Sequence, residues 1–199
     1  MKNIRILSVL LGGALLLAGC SQKSLFLNYE QSPAHETKPL PLSSINPSYS
    51  NTERVEFHEA HLGLETQLGG GRRGSDFPVS VRLYGGMLRL EDENSDTLTG
   101  SGLNSGLDLA LGAGQFVSLY AGKRHTQLYE VVVTDPGSPT ENRFDGYMDT
   151  TVRGGALQLG VVRLFVHNRE YALKLGSFEK SGLKQTNSFG LEFNWKWGR

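Results

Sequence analysis

From residue 57 onward, apolar and polar residues alternate with a period of two rather than 3.6, the spacing of strands that bury one face. Residues 57–68 carry Leu62, Leu64 and Leu68 on one face, with Gly63, Glu65 and Gln67 on the other. Residues 79–91 open with Val79, Val81 and Leu83 on the apolar side. The apolar set then passes to Leu88 and Leu90, so the intervening Gly85-Gly86 predicts a bulge. Residues 103–113 set Leu103, Leu107, Leu109 and Leu111 against Asn104, Gly106, Asp108 and Ala110. Residues 116–133 and 151–166 are long candidates, and 171–177 place Tyr171, Leu173 and Leu175 opposite Lys174. The cleanest alternation is the last, Phe189, Leu191, Phe193, Trp195 and Trp197 against Gly190, Glu192, Asn194 and Lys196.

Two architectures satisfy such a chain. A water-soluble sandwich or small barrel turns the apolar face inward. A membrane barrel turns it toward lipid and fills the lumen with small and polar residues. Three features favour the second. The polar faces are rich in Gly and Ala (Gly106, Ala110, Gly112; Gly154, Ala156, Gly160). The candidate strands reach the roughly 10 residues that a tilted crossing needs. The connections alternate short (112–115, 167–169) with long and polar (92–100, 135–146, 180–186). The expected fold is all-β, an antiparallel up-and-down β-barrel of about eight strands over residues 54–199. Only seven strands are clear, and bacterial single-chain barrels have an even number. Residues 25–30, residues 50–56 or an extra turn within 127–147 supply the eighth.

The first 53 residues are of another kind. A basic start (Lys2, Arg5) leads into an apolar run ending in Leu17-Ala18-Gly19-Cys20, the layout of a secretory signal peptide. Residues 21–53 hold no Gly but include Pro33, Pro39, Pro41 and Pro47, a composition that favours extended, mobile chain. The expected organisation is a signal peptide over 1–19, a flexible tether over 20–53 and the β domain over 54–199. Leu17-Ala18-Gly19-Cys20 resembles the lipobox of bacterial lipoproteins. That resemblance implies cleavage before Cys20, its acylation and, with Ser21 following, transfer to the outer membrane. The C-terminal series from Phe189 to Trp197 resembles the assembly signal that closes outer-membrane barrels, although Gly198-Arg199 follows it.

Charge excludes more than it suggests. The chain holds 20 basic and 20 acidic residues, and loss of Lys2 and Arg5 leaves the mature form slightly acidic. Nothing here favours nucleic acid. Cys20 is the single cysteine, so no internal disulfide forms. His58 and His61 lack the HExxH spacing and point to opposite faces of a strand. Ser118 and His125 also have opposite parity, which argues against a serine-type nucleophile. Gly69-Gly70-Gly71-Arg72-Arg73-Gly74 reads as a flexible turn, and Asp92-Glu93-Asn94-Ser95-Asp96 as a solvated loop. Glu65, Arg82, Asp108, Lys174, Glu192 and Lys196 lie on the polar faces and would meet in the lumen of a closed barrel. No catalytic residue, cofactor or metal site is expected; Cys20 is the one site residue, as a lipid attachment point. The expected function is that of a lipid-anchored outer-membrane barrel with a structural or surface-interaction role, partnered by membrane lipid and by outer-membrane or envelope proteins. The alternative is a soluble barrel or sandwich on the same tether, binding an apolar ligand or supporting an envelope assembly or secretion complex.

Overall fold

The structure, a computed structural model, describes residues 23–37, 40, 41, 43, 52–68, 78–92, 98–113, 116–134, 141–176 and 178–197. Cys20 and the expected signal peptide, the glycine- and arginine-rich residues 69–74, the acidic stretch 92–96 beyond Asp92 and Gly198-Arg199 lie outside them. In chain order the strands are β1 (Lys23–Ser32), the two-residue β2 (Leu40–Pro41) and β3 (Thr52–Glu53), then β4 (Val55–Leu68), β5 (Val79–Asp92), β6 (Leu98–Ala113), β7 (Val117–Thr134), β8 (Glu141–Leu159), β9 (Val162–Leu175) and β10 (Phe178–Trp197). One turn of 3-10 helix, Ala34–Glu36, follows β1.

Eight strands close a barrel in the order β1-β10-β9-β8-β7-β6-β5-β4, and β4 returns to β1. Every neighbouring pair is antiparallel. The fold expected from alternation is therefore present, and the missing strand is β1. Leu25, Leu27 and Tyr29 alternate with Phe26, Asn28 and Glu30, so the strand fits between a partly apolar outside and a filled inside. It pairs Lys23–Gln31 with Trp197–Phe189 on one side and Lys23–Ser32 with Thr66–Phe57 on the other.

This moves the expected boundary at residue 54. The barrel begins at Lys23, and residues 33–54 connect two of its strands instead of tethering it. Their Pro content suits a connection as well as a spacer, which is why composition placed them outside the fold. The connections also divide differently. The stretch 151–166 is not one strand, because Gly160, at φ 66°, and Val161 turn the chain from β8 into β9. Residues 167–169 lie within β9 and 180–186 within β10.

The lower end of the barrel, as described here, carries Lys23, Leu68, Val79, Ala113, Phe116, the turn at 160–161, and Trp197. The upper end carries Ser32, Val55, Asp92, Leu98, Thr134, Glu141 and Leu175. At the upper end the interior is apolar. Val55, Phe57, Leu88, Leu90, Leu98, Leu128, Val131, Val133, Met148, Tyr171, Leu173 and Leu175 form one buried cluster, with Phe144 against it. Register across Gly85 and Gly86 is continuous, so the expected bulge there is absent. Leu88 and Leu90 are simply on the inward face, which becomes apolar at that height. One bulge lies instead in β7, where Glu130 takes φ 51° and register shifts between Leu128 and Val131. It keeps Leu128, Val131 and Val133 all inside. The Glu130 N–H donates to Asp145 Oδ1 at 3.3 Å.

Candidate functional site

Two features below the apolar cluster bear on function: what fills the lumen and what faces outward. Among the described residues below the apolar cluster, inward positions bring four guanidiniums (Arg82, Arg124, Arg163, Arg169) and five carboxylates (Glu30, Glu59, Glu65, Asp108, Glu192) into the barrel, all buried or nearly so. Burying so many charges is tolerable only if each is paired and hydrogen-bonded, and they are.

Arg124 is the hub of the upper half of this network. Its Nη1 donates to Glu30 Oε2 at 2.7 Å and to Glu59 Oε2 at 2.8 Å, and its Nε donates to the Tyr84 hydroxyl at 2.8 Å. The Tyr84 hydroxyl in turn donates to Asp108 Oδ1 at 2.9 Å. Arg169 donates to Glu59 and, at 3.2 Å, to Ser32 Oγ, and the Ser188 hydroxyl donates to Glu30. His167 Nδ1 lies 3.2 Å from Glu30 Oε1. His61 places Nδ1 2.7 Å from Asn28 Oδ1 and Nε2 2.9 Å from Asn104 Nδ2. Its Nε2 also lies 3.1 Å from Glu59 Oε2, so the ring stands between two amides and a carboxylate.

The lower half turns on Glu192 and Glu65. Arg82 donates to Glu192, and Arg163 Nη1 donates to Glu192 Oε1 at 2.9 Å and Glu65 Oε2 at 3.0 Å. Ser80 Oγ donates to Glu65 Oε1 at 2.8 Å, and Arg163 Nε to Gln158 Oε1 at 2.7 Å. The Arg82 guanidinium also lies over the ring of Phe26, 4.1 Å from its centre, a favourable cation–π placement. Gly63 is required here. A Cβ on it would sit 2.6 Å from the Tyr84 Cβ, so the wall is thin where the aromatic filling is thick.

Of the six charges expected in the lumen, Glu65, Arg82, Asp108 and Glu192 are there. Lys174 is not: it faces outward with its Nζ 5.7 Å from the centre of the Tyr147 ring. Its neighbour Leu173, on the expected lipid face, is 7% exposed inside the barrel. The inversion of face at the upper end explains both. Lys196 sits at the lower rim on an exposed stretch of β10. The reading missed Glu30, Glu59, Arg124, Arg163, Arg169 and His167. Parity could have found Glu59, two and six residues from His61 and Glu65, and the series Arg163, His167, Arg169, had the turn at 160–161 been recognised.

His58 and His61 do part company across the wall. His58 is outside, 2.6 Å from the Tyr29 hydroxyl, while His61 is inside. Ser118 and His125 likewise face opposite ways. Glu30, Glu59 and His61 bring three ligand-type atoms within 4.8 Å of one another, an arrangement that could hold a cation. Arg124 and Arg169 already supply the positive charge there.

Outside, the lower barrel is apolar. Leu25, Leu27, Leu62, Leu64, Leu103, Leu107, Leu109, Leu111, Leu119, Leu157, Leu164, Val166, Leu191 and Phe193 are all 36–58% exposed. Trp195 and Trp197 face out at the lower rim, Tyr29 and Tyr129 higher up. A water-soluble domain rarely shows an apolar patch of more than a few hundred Å²; this one encircles the molecule. A cavity of about 1260 Å³ is lined by residues of seven strands, outward-facing ones such as Leu62, Leu107 and His125 together with the inward-facing Tyr84, Arg124 and Thr150. Within the upper apolar cluster the free space is about 20 Å³, room for one water at most.

No protein-family model matches the chain, and no curated protein matches it either. Among solved structures it is similar to the N-terminal β-barrel domain of Pseudomonas aeruginosa OprF, at 11% identity and a TM-score of 0.45, over 86% of this chain and 97% of that one. It is similar to the translocator domain of the autotransporter NalP from Neisseria meningitidis, at 10% identity and a TM-score of 0.37, over 96% of this chain and 68% of that one. It also overlaps OmpT, an outer membrane protein of Vibrio cholerae, at 13% identity and a TM-score of 0.28, over 87% and 52% of the two chains. Scores below 0.5 leave the reading of function to the chain's own geometry.

Proposed function

We propose that this chain is a lipid-anchored outer-membrane β-barrel protein, closed to solutes, with a structural or surface-interaction role in the bacterial envelope. The observation that carries the reading is the inversion of the lower barrel, with its paired charges inside and an unbroken apolar belt outside. That order is stable in lipid and unstable in water. On β4, β5, β6 and β10 the belt spans about 20 Å for strands tilted by about 40°, close to the apolar band such barrels carry. Trp195 and Trp197 at one rim, with Tyr29 and Tyr129 toward the other, suit the two interfaces. Side chains normally fill a barrel of eight strands, and the Arg124 and Glu192 networks cross the lumen at two heights.

The lipobox and the barrel are compatible in space. Lys23 is the third residue after Cys20, a reach of about 10 Å. Acyl chains on Cys20 would therefore enter the leaflet beside the Trp195–Trp197 rim. Ser32, Asp92 and Thr134 end their strands at the opposite rim, and partners on the other side of the bilayer would be met from there. The alternative of a soluble carrier of apolar ligands finds little support, because the apolar part of the interior is already full.

Extraction tests this reading. The Cys20→Ala variant, exported with an ordinary signal peptide, should stay in the membrane pellet through alkaline carbonate and need detergent for release. A folded domain that stays in solution without detergent would overturn it.

A further inference from the structure

The apolar belt is uneven. On β4, β5, β6 and β10 it covers residues 60–68, 79–87, 103–111 and 189–197, interrupted only by Thr66, Gly85 and Ser105. On β7, β8 and β9 it covers only 117–121, 155–159 and 162–166, about 10 Å at the same tilt. These three strands are consecutive in the wall. The short strand β1 also has a short belt, but it lies between two tall neighbours.

Above the short belt the outward side chains are polar. Lys123 and His125 project from β7, Asp149, Thr151 and Arg153 from β8, and Glu170 from β9. His125 Nδ1 lies 2.7 Å from Asp149 Oδ1. Lys123 and His125 are register partners of Leu107 and Ser105 on β6, so the change from apolar to charged wall happens across one pair of strands. A membrane surface with too short an apolar face thins the bilayer, snorkels or oligomerises.

The charge pattern points to the occupant. A polyanionic lipid would call for cations alone. Here Lys123 and Glu170 lie on either side of Thr151 in one row of cross-strand partners, a cation on one flank and an anion on the other. Copies of a protein inserted in one direction pair about a twofold axis parallel to the barrel, which gives an isologous contact. That axis sets β7 of each copy against β9 of the other and brings Lys123 toward Glu170. We propose that the outer face of β7, β8 and β9 is the contact between two copies of this chain in the membrane. The proposal rests on the membrane-spanning reading above.

The test is oxidative cross-linking of the full chain in outer membranes, with the unmutated chain reporting any disulfide through Cys20. Thr151→Cys should give a covalent dimer, and Leu109→Cys, on the tall side, should not. Lys123→Glu in the Thr151→Cys background should lower the cross-linked fraction about tenfold, and adding Glu170→Lys should restore it. Carbonate extraction of the same membranes separates the two levels: release of the chain overturns the membrane reading. A chain that stays embedded, yet cross-links no better through position 151 than through 109, overturns the dimer alone. Cross-linking only to a protein of different mass, or loss of co-purifying lipopolysaccharide phosphate on Lys123→Glu without any dimer, would also overturn it, in favour of a foreign partner or a lipid.

Discussion

The lower and upper parts of this barrel share the same strands and solve opposite problems. Below, Glu30, Glu59, Arg124 and Glu192 are inside and Leu62, Leu109 and Phe193 outside. Above, Leu90, Leu128, Val133 and Leu175 are inside, while on the outer surface Arg89 pairs with Glu91 at 2.9 Å and, elsewhere on the wall, Arg143 with Glu141 at 3.4 Å. The solvent dictates the arrangement, and the backbone is indifferent to it. On the membrane-spanning reading lipid surrounds the lower wall, and polar groups there have the lumen as their refuge. Where water surrounds the wall, apolar groups take that place. Strands of 16–20 residues in β6, β7, β8 and β10 exceed the 9–11 needed to cross a bilayer, and the surplus forms the upper part.

The contrast can be broken at its centre first. Arg124→Ala removes the guanidinium that joins Glu30, Glu59 and Tyr84, leaving buried carboxylates uncompensated. A loss of about 3–5 kcal/mol is expected, read as a lower urea midpoint in lipid bilayers, with Trp195 and Trp197 as reporters. Next comes the upper core: Leu128→Ala, fully buried, should cost about 2–5 kcal/mol in the same assay. Leu109→Arg places a charge against lipid, at about 2–4 kcal/mol near the midplane. Leu109→Ala should cost far less than Leu128→Ala, because no cavity opens inside. Equal losses at 109 and 128 would mean that both leucines lie in one soluble core. At the bottom of the scale, Arg89→Ala on the exposed upper surface should shift stability by no more than about 0.5 kcal/mol.

The sequence was legible wherever one solvent held along a strand. Leu103 to Leu111 and Phe189 to Trp197 alternate cleanly because those stretches of wall stay in the lower regime. Legibility failed where the regime changes within a strand. In β5 the outward series Val79, Val81, Leu83 gives way to inward Leu88 and Leu90 without any backbone event, and a change of face looks identical to a bulge in an alternation pattern. Leu173 and Lys174 failed for the same reason. In β8 and β9 the turn at Gly160-Val161 moves the outward set from odd to even positions, which disguised two strands as one. The lumen network was the least legible feature. Its members come from strands far apart in sequence, and a lone Glu or Arg on a polar face looks the same whether water or a guanidinium lies opposite.

The position of Glu30 has a consequence for how the molecule comes into being. Its carboxylate meets Arg124, His167 and Ser188, groups separated from it by 94, 137 and 158 residues. Nearly the whole polypeptide must be made before the first strand finds its second neighbour. Contacts between such distant residues are slow to form, and any half-built sheet would carry naked guanidiniums and carboxylates toward hydrocarbon. On the membrane-spanning reading, a gradual, hairpin-by-hairpin entry into the bilayer is therefore penalised at each step. The chain has reason to wait, rolled up outside the membrane or held by a helper, until its ends meet and it can enter as a finished cylinder.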